Sequence, residues 1–355
     1  MIIALATDAW HPQVNGVVRS LGMTVERLRG RGHELHVIEP GQFRTIPCPT
    51  YPEIRLALGC ASAVARMLDE WVPDAIHIAT EGPIGWAARK WCIRRGRRFT
   101  TSFHTRFPDY VSHRTGLPAN WIWPVIRRFH GAAERTFAVT PSLAAELEQR
   151  GIVPAHHWPL GVDLGQFNPA APPHPGIKDL PRPVMLNVGR VAVEKNIAAF
   201  LDCPVEGSKV IIGEGPAWSM LKARYPDVHF PGAMHGVELA SAYAAADVHV
   251  FPSRTDTFGL VNIEALACGV PVAAYPERGP LDIIGLDGRG VHGGSRRIGA
   301  LDTDLGRAIR RALTADRVAA AAEARYYDWD YCTDAFVGGL ASDEVASEKP
   351  ARRAA

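Results

Sequence analysis

Short apolar runs alternate with amphipathic stretches along the first half of the chain. After the run at 2–7, apolar side chains recur on one helical face, at Val17, Val18, Leu21, Val25 and Leu28. Later apolar runs predict strands at 33–40, 74–80, 98–104 and 136–140, and the stretches between them predict helices near 60–71, 83–95, 124–135 and 141–150. Because the period changes repeatedly from strand-like to helix-like, we expect βα units on a parallel sheet.

The second half repeats this rhythm after a proline-rich break. Residues 168–183 hold prolines at 169, 172, 173, 175, 181 and 183, which favours a linker. Strands are then predicted within 183–189, 209–213, 247–253 and 270–275. The expected fold class is α/β, with two similarly built, Rossmann-like parallel-sheet domains facing each other across a cleft. The predicted boundaries are 1–165 and 184–325 for the domains, 166–183 for the linker, 326–340 for a helix packing back on the first domain, and 341–355 for a disordered tail.

Composition and charge narrow the function classes. The 39 basic and 37 acidic residues give a net charge of +2, which argues against a nucleic-acid binder. The 6 cysteines include no CxxC pair, so reduced thiols in a cytoplasmic protein are expected. No apolar run is long enough for a membrane span, and the first residues predict a strand instead of a signal peptide.

Two segments combine basic and aromatic residues. One covers 86–98, with Arg94, Arg95, Arg97 and Arg98 following Trp91, and the other covers 121–135. They fit equally well two solvated helix ends with buried tryptophans, or a surface that rests on anionic lipid headgroups.

The segment 251–275 gives the most informative chemical pattern. A strand ends, a polar loop follows, and a helix begins near the glycine at 259. Such a loop at the C-terminal end of a parallel strand is where α/β domains bind ligands. The backbone N–H groups of Phe258, Gly259 and Leu260 are available there as donors. The carboxylates of Asp256 and Glu264 are available as acceptors. They suit the phosphate and hydroxyl groups of a ligand, although Asp256 could instead cap the helix and Glu264 could be a surface acid.

Two further strand ends carry polar or glycine-rich loops. Arg190 and Lys195 follow one strand, and two cations there would neutralise a diphosphate as it leaves. Gly213 and Gly215 form a turn after the next strand and would allow close backbone approach to a nucleotide. The sequence GEGPAW lacks the third glycine of a dinucleotide fingerprint, so an oxidoreductase is not indicated.

Taken together, these motifs resemble the retaining glycosyltransferases of family 4, which have the GT-B fold. GRVAVEKN resembles the R-x4-K element of that family. DTFGLVNIE, followed by EALACGVPV, resembles its E-x7-E motif, with Asp256 in place of the first Glu. SFHTRFPDYV, ATEGPIG and RRFHGAAERTFAVTPSL resemble the lipid-glycosylating branch, which includes diacylglycerol glycosyltransferases, sulfoquinovosyl transferases and GDP-mannose-dependent α-mannosyltransferases.

The resemblance implies a hexosyltransferase that uses a UDP- or GDP-sugar and a membrane-lipid acceptor such as diacylglycerol. It implies donor or reaction-centre contacts for His104, Arg190, Lys195, Asp256 and Glu264. Further donor contacts are expected at Gly16, Val17, Gly213, Gly215, Met234, Phe258, Gly259 and Leu260, and acceptor contacts at Asp8 and Glu81. A soluble or polysaccharide acceptor, an epimerase or phosphorylase, and an inactive nucleotide-sugar binding protein are the alternatives.

No metal or other cofactor is predicted. Two Asp-x-Asp pairs, Asp302 with Asp304 and Asp328 with Asp330, have the spacing of metal-dependent enzymes, but both lie near the C-terminus, and Asp302 precedes a predicted helix that it is expected to cap. The protein is expected in the cytoplasm, and association with the inner face of the cell membrane is left open. The sequence does not specify an oligomeric state.

Overall fold

The computed structural model describes residues 1–13, 15–48, 51–104, 108, 112, 116 and 118–342. The chain forms two compact units. Among the described residues, the first comprises residues within 1–138, 144–157 and 336–342. The second comprises residues 139–143 and 158–335. The domain boundaries predicted from the sequence remain predictions.

The first unit is built on a six-stranded parallel sheet of order β2-β1-β5-β6-β7-β8. Its strands are β1 (Ile2–Ala6), β2 (Glu34–Ile38), β5 (Ala75–Ile78), β6 (Thr100–Phe103), β7 (Arg135–Ala138) and β8 (Ala155–His157). An antiparallel ribbon is added by β3 (Thr45–Cys48) and β4 (Tyr51–Ala57). The helices are α1 (Gly16–Gly30), α2 (Ala61–Trp71), α3 (Pro83–Arg95), α4 (Ala119–His130) and α5 (Pro141–Gln149).

The second unit has a parallel sheet of the same size, with the order β11-β10-β9-β12-β13-β14. Its strands are β9 (Val184–Val188), β10 (Ser208–Ile212), β11 (His229–Gly232), β12 (Val248–Phe251), β13 (Val272–Ala274) and β14 (Gly299–Leu301). Its helices are α6 (Pro175–Lys178), α7 (Ile197–Leu201), α8 (Trp218–Arg224), α9 (Gly236–Ala244), α10 (Leu260–Ala267), α11 (Arg278–Ile284), α12 (Leu305–Ala312) and α13 (Arg317–Ala324). The last helix, α14 (Trp329–Gly339), begins in this unit and ends in the first.

The βα alternation predicted from the apolar pattern is confirmed in both units. Every residue of β9 is buried, as expected for a central strand covered on both faces. Apolar side chains from helices on the sheet complete the core of the second unit, including Phe200, Leu221 and Ile309. In the first unit, Val64, Leu68 and Trp91 play the same part.

Several predicted elements differ from the structure. The helix predicted near 124–135 covers Ala119–His130, because Gly131 ends it and the following residues enter β7. The predicted linker contains the short helix α6, whose Ile177 is buried. The ribbon β3–β4 and the strands β8, β11 and β14 were not predicted, because short or half-exposed strands leave little periodic signal. The tail from 343 onward lies outside the described residues.

Candidate functional site

Four loops at one edge of the second sheet carry the predicted donor residues. β11, β10, β9 and β12 are neighbours in the sheet and run parallel, so their C-terminal ends lie side by side. The loops that follow these strands contain Met234, Gly213 and Gly215, Arg190 and Lys195, and Asp256 to Leu260, respectively. The topology therefore brings Arg190 and Glu264, which are 74 positions apart in the sequence, to the same edge of the sheet.

An ion pair joins the loops after β9 and β12. The Lys195 ammonium lies 2.5 Å from Oδ1 of Asp256, and the two side chains are 29% and 24% exposed. Two more contacts hold the same loops together. Nδ2 of Asn196 donates to the Pro252 carbonyl at 3.2 Å, and the Thr255 hydroxyl donates to the Glu194 carbonyl at 3.4 Å. The pair is thus fixed on both sides by neighbouring hydrogen bonds.

Asp256 does not cap the following helix. Helix α10 begins at Leu260, its N-cap is Gly259, and no side chain makes a capping hydrogen bond there. Oδ2 of Asp256 is buried and has no hydrogen-bond partner among the described residues. The backbone hydrogen bonds of the described residues likewise include none from the N–H groups of Phe258, Gly259 and Leu260. This end of α10 therefore offers both donors and an acceptor to a polar ligand.

Glu264 is a buried acid instead of a surface one. It lies one turn into α10, is 2% exposed, and its Oε2 accepts a hydrogen bond of 3.3 Å from the Tyr243 hydroxyl. The same hydroxyl lies 3.2 Å from the Val261 carbonyl oxygen. Tyr243 on α9 therefore holds the Glu264 carboxylate in place.

The glycines after β10 serve loop packing. A Cβ on Gly213 would collide with the Gly189 carbonyl, and one on Gly215 would collide with the Val191 carbonyl. Both glycines have positive φ angles. They allow the loop after β10 to lie directly against the loop that carries Arg190. Arg190 itself is exposed. Met234, after β11, is buried, with 7% of its surface exposed.

In the first unit, Asp8 holds the start of α3. Its Oδ1 accepts from the Ile84 N–H at 2.9 Å, and its Oδ2 accepts from the Gly85 N–H at 3.2 Å and from the Thr80 hydroxyl at 3.0 Å. Burial raises the pKa of this carboxyl, although the backbone hydrogen bonds oppose the shift. The sequence did not reveal this structural role, and the predicted acceptor contact of Asp8 remains a prediction.

Glu81 follows β5 at the same edge of the first sheet and is paired with a buried histidine. Its Oε1 lies 3.2 Å from Nε2 of His130, and the two side chains are 20% and 0% exposed. The other ring nitrogen of His130 lies 2.8 Å from the Thr101 hydroxyl, which is 3.1 Å from the Thr136 hydroxyl. Sequence reasoning missed His130, whose position on a helix gave no signal.

His104 and the start of α1 complete the predicted residues. His104 directly follows β6, and burial, with a smaller effect of His130, lowers its pKa to about 4, so its imidazole is neutral at pH 7. The motif around it continues through 105–107 and 109–111, which lie outside the described residues. Gly16 and Val17 begin α1, where the Asn15 side chain accepts from the Val18 N–H at 2.9 Å.

The basic segment after Trp91 lies at the other edge of the first sheet. It forms the end of α3 and precedes β6, whereas Asp8, Glu81 and His104 follow strand ends. Arg95 pairs with Asp69 at 2.9 Å, Arg98 pairs with Glu134 at 2.7 Å, and Arg97 donates to the Pro73 carbonyl. These internal partners favour the interpretation as a solvated helix end.

The Asp-x-Asp pairs have local partners. Asp304 caps α12 by accepting from the Arg307 N–H at 3.1 Å, so the cap is Asp304 and not Asp302 as the sequence suggested. Oδ2 of Asp302 lies 3.5 Å from Arg311, and Asp328 accepts from the Asp330 N–H at 2.7 Å. In the part of the chain that the structure describes, no three His, Cys, Asp or Glu side chains are grouped as metal ligands.

Comparison with known proteins identifies the family. Residues 14–166 match the Glycosyltransferase Family 4 domain, and residues 175–325 match the Glycosyl transferases group 1 domain. A GDP-mannose-dependent alpha-mannosyltransferase of Mycobacterium tuberculosis is 32% identical over 79% of this chain and 81% of its own length. An alpha-monoglucosyldiacylglycerol synthase of Streptococcus pneumoniae is 26% identical over 78% of this chain and 71% of its own length.

A solved structure supports the fold assignment independently. The sucrose-phosphate synthase of Thermosynechococcus elongatus superimposes with a TM-score of 0.73 at 20% identity, covering 95% of this chain and 97% of that one. The two parallel-sheet units are those of GT-B enzymes. With both domains matched and a relative 32% identical over most of its length, the chain belongs to glycosyltransferase family 4 and is a glycosyltransferase of the GT-B fold.

Proposed function

We propose that this enzyme transfers a hexose from a UDP- or GDP-sugar to a hydroxyl of a membrane lipid, with retention of the anomeric configuration. The observation that carries the donor half of this proposal is the Lys195–Asp256 pair at the start of α10. It places a cation beside a carboxylate whose second oxygen has no partner among the described residues. A diphosphate-linked sugar needs that combination, since its phosphates require positive charge and its hydroxyls require hydrogen-bond acceptors.

The donor groups are assigned as follows. Lys195 and Arg190 neutralise the diphosphate, and Glu264, held by Tyr243, accepts from the ribose hydroxyls. Oδ2 of Asp256 and the N–H groups of Phe258, Gly259 and Leu260 bind hexose hydroxyls. The backbone beside Met234 and the loop of Gly213 and Gly215 face the base and ribose. By resemblance to the family, Gly16 and Val17 contribute N–H groups to the phosphate, and His104 contacts the sugar.

The proposed reaction breaks the bond from the anomeric carbon to the phosphate oxygen and forms a bond from that carbon to the acceptor oxygen. The acceptor proton passes to the departing phosphate oxygen. Negative charge on the diphosphate grows as this bond breaks, so the cations at 190 and 195 stabilise the transition state more than the bound donor. No metal is needed in this scheme, since two side chains supply the charge that a divalent ion would supply.

The proposed lipid acceptor is supported by the relatives and by one exposed helix face. One relative is named as an alpha-monoglucosyldiacylglycerol synthase, a name that specifies a glycosylated membrane lipid as its product. On α4, Trp121 is 71% exposed and Val125 is 53% exposed, and Arg128 is exposed one turn further along the same face. None of the helices in the described ranges is both long and apolar enough to cross a bilayer. Tryptophan and arginine on an exposed helix face suit the headgroup region of an anionic bilayer.

Nucleotide-sugar binding is tested by thermal shift with UDP-, GDP- and ADP-sugars, because a ligand that binds only the folded state raises the melting temperature. The stabilising donor is then incubated with vesicles that contain diacylglycerol. We expect acceptor-dependent release of the nucleotide, unchanged by EDTA. Release of the nucleotide without an acceptor would indicate an epimerase or hydrolase. Binding of the donor without release would indicate an inactive binding protein. A strict metal requirement would contradict the metal-free scheme.

The membrane surface is tested with the double variant Trp121→Ser/Arg128→Ser. Loss of one interfacial aromatic and one cation is expected to weaken binding to phosphatidylglycerol vesicles by about tenfold or more, since each basic residue near an anionic surface contributes about 1 kcal/mol. The matched control is Ile93→Ser/Arg94→Ser, which removes an exposed apolar and an exposed basic residue from the other edge of the sheet. Equal vesicle sedimentation of the α4 variant and the wild type would contradict this surface.

A further inference from the structure

Asn262 is a buried polar residue that the proposed chemistry does not use. It lies on the first turn of α10 and is 0% exposed. Neither its Oδ1 nor its Nδ2 has a hydrogen-bond partner among the described residues. A second buried asparagine of the same unit provides the contrast, because Nδ2 of Asn187 donates to the Val250 carbonyl at 2.9 Å.

An unpartnered amide at this depth is unfavourable for the conformation in which it is found. Each buried donor or acceptor without a partner carries the desolvation penalty of that group. An apolar side chain of similar shape would avoid this penalty and would pack against the same neighbours. The stability of the second unit therefore gives no reason for an asparagine at this position.

The side chain of Asn262 points at the turn that begins α10. A Cβ built on Gly259 would lie 2.7 Å from Nδ2 of Asn262 and 2.9 Å from Cζ of Phe251. The Asn262 amide and the Phe251 ring thus both lie beside Gly259, and the amide does not reach the surface. Any effect of Asn262 on a ligand must therefore pass through the turn.

We propose that Asn262 is a positioning residue for the donor, which acts by fixing the Phe258–Gly259 turn when the turn closes on the sugar. This inference rests on the proposed function. The Gly259 carbonyl already accepts from the Asn262 backbone N–H at 2.9 Å, and its second lone pair can accept from the side-chain amide once the turn moves inward. The amide then gains its hydrogen bond in the donor-bound form, so Asn262 favours that form over the free one.

The test is Asn262→Leu, which keeps the side-chain shape and removes both polar atoms. UDP-glucose and GDP-mannose are the probes, because the proposed closure of the turn requires the sugar, and the one that stabilises the wild type is used for calorimetric titration. We expect a melting temperature without nucleotide that is no lower than that of the wild type, and a dissociation constant about tenfold higher. The control, Asn187→Leu, is expected to lower the melting temperature, because it leaves the Val250 carbonyl without its donor.

A purely structural role for Asn262 predicts the opposite pair of results. A lower melting temperature with an unchanged dissociation constant would overturn the inference. If the leucine variant does not fold, Asn262→Ala removes the same amide without added bulk, and equal affinity of that variant and the wild type for the probe would also overturn it. A wild type that binds neither UDP-glucose nor GDP-mannose would contradict the proposed function itself, whereas equal binding of the probe by the wild type and both Asn262 variants would contradict only the role of Asn262.

Discussion

Replacing Lys195 with alanine is expected to lower kcat/KM by about 10²- to 10³-fold, which is the usual effect of removing one group that stabilises developing negative charge. Most of the loss should fall on kcat, because the leaving diphosphate carries more charge in the transition state than in the bound donor. The measurement is steady-state transfer with the donor identified by thermal shift.

The ion pair makes this effect larger than the loss of one surface charge. The Lys195 ammonium lies 2.5 Å from Asp256, and neither side chain is more than a third exposed. Without the lysine, the Asp256 carboxylate would remain beside the donor phosphates with its charge uncompensated, and like charges at such distances repel. Asp256→Asn in the Lys195→Ala background should therefore recover part of the donor affinity.

Lys222→Ala is the matched control for Lys195→Ala. Lys222 is an exposed lysine of the same unit, placed over the Trp218 ring, and its removal makes the same change in net charge. Its variant should keep wild-type kcat, and both variants should keep melting temperatures close to that of the wild type. A near-normal kcat for Lys195→Ala would rule out the proposed role in stabilising the leaving group.

The sequence was sufficient to predict that the loops proposed to bind the donor lie along one edge of the second sheet. Three of the four strands, β9, β10 and β12, were recognisable as apolar runs, whereas β11 was not, and the C-terminal ends of adjacent parallel strands must lie along one edge. Arg190, Lys195 and Asp256 could therefore be assigned to one edge of the second sheet from the sequence alone. The contact between Lys195 and Asp256 could not be predicted, because it depends on loop conformations that no periodicity encodes.

In the first unit, the sequence predicted where the candidate residues lie better than it predicted what they contact. Asp8 was correctly expected at a strand end, but its carboxylate accepts three hydrogen bonds from the start of α3 and from Thr80. His130 was not noticed, because its partner Glu81 lies 49 residues earlier in the chain. The arginines after Trp91 fitted a solvated helix end and a lipid-binding surface equally well in the sequence, and the contacts of three of them with Asp69, Glu134 and the Pro73 carbonyl favour the helix end. Charge partners that are distant in the chain are invisible to a scan for local motifs.

Gly259→Ala is expected to abolish most of the transfer activity and to destabilise the second unit by about 2–5 kcal/mol. A φ of +88° costs a residue with a Cβ about 1–2 kcal/mol, and inserting a methyl group into a packed site costs about 1–3 kcal/mol more. The packing cost arises because the new Cβ would lie 2.7 Å from Nδ2 of Asn262 and 2.9 Å from Cζ of Phe251. The turn must then shift away from Phe251, which moves the N–H groups at 258–260 that are proposed to bind the hexose.

Gly293→Ala separates the two contributions to this loss. Gly293 has nearly the same φ angle, +86°, but nothing lies within 4 Å of the Cβ that alanine would add. Its alanine variant should lose only the conformational part, about 1–2 kcal/mol, and should retain activity. Chemical denaturation of both variants measures the difference. Equal destabilisation would mean that the turn at 259 accommodates the methyl group by moving away from its neighbours, and full activity in that case would show that the N–H groups of this turn do not hold the sugar.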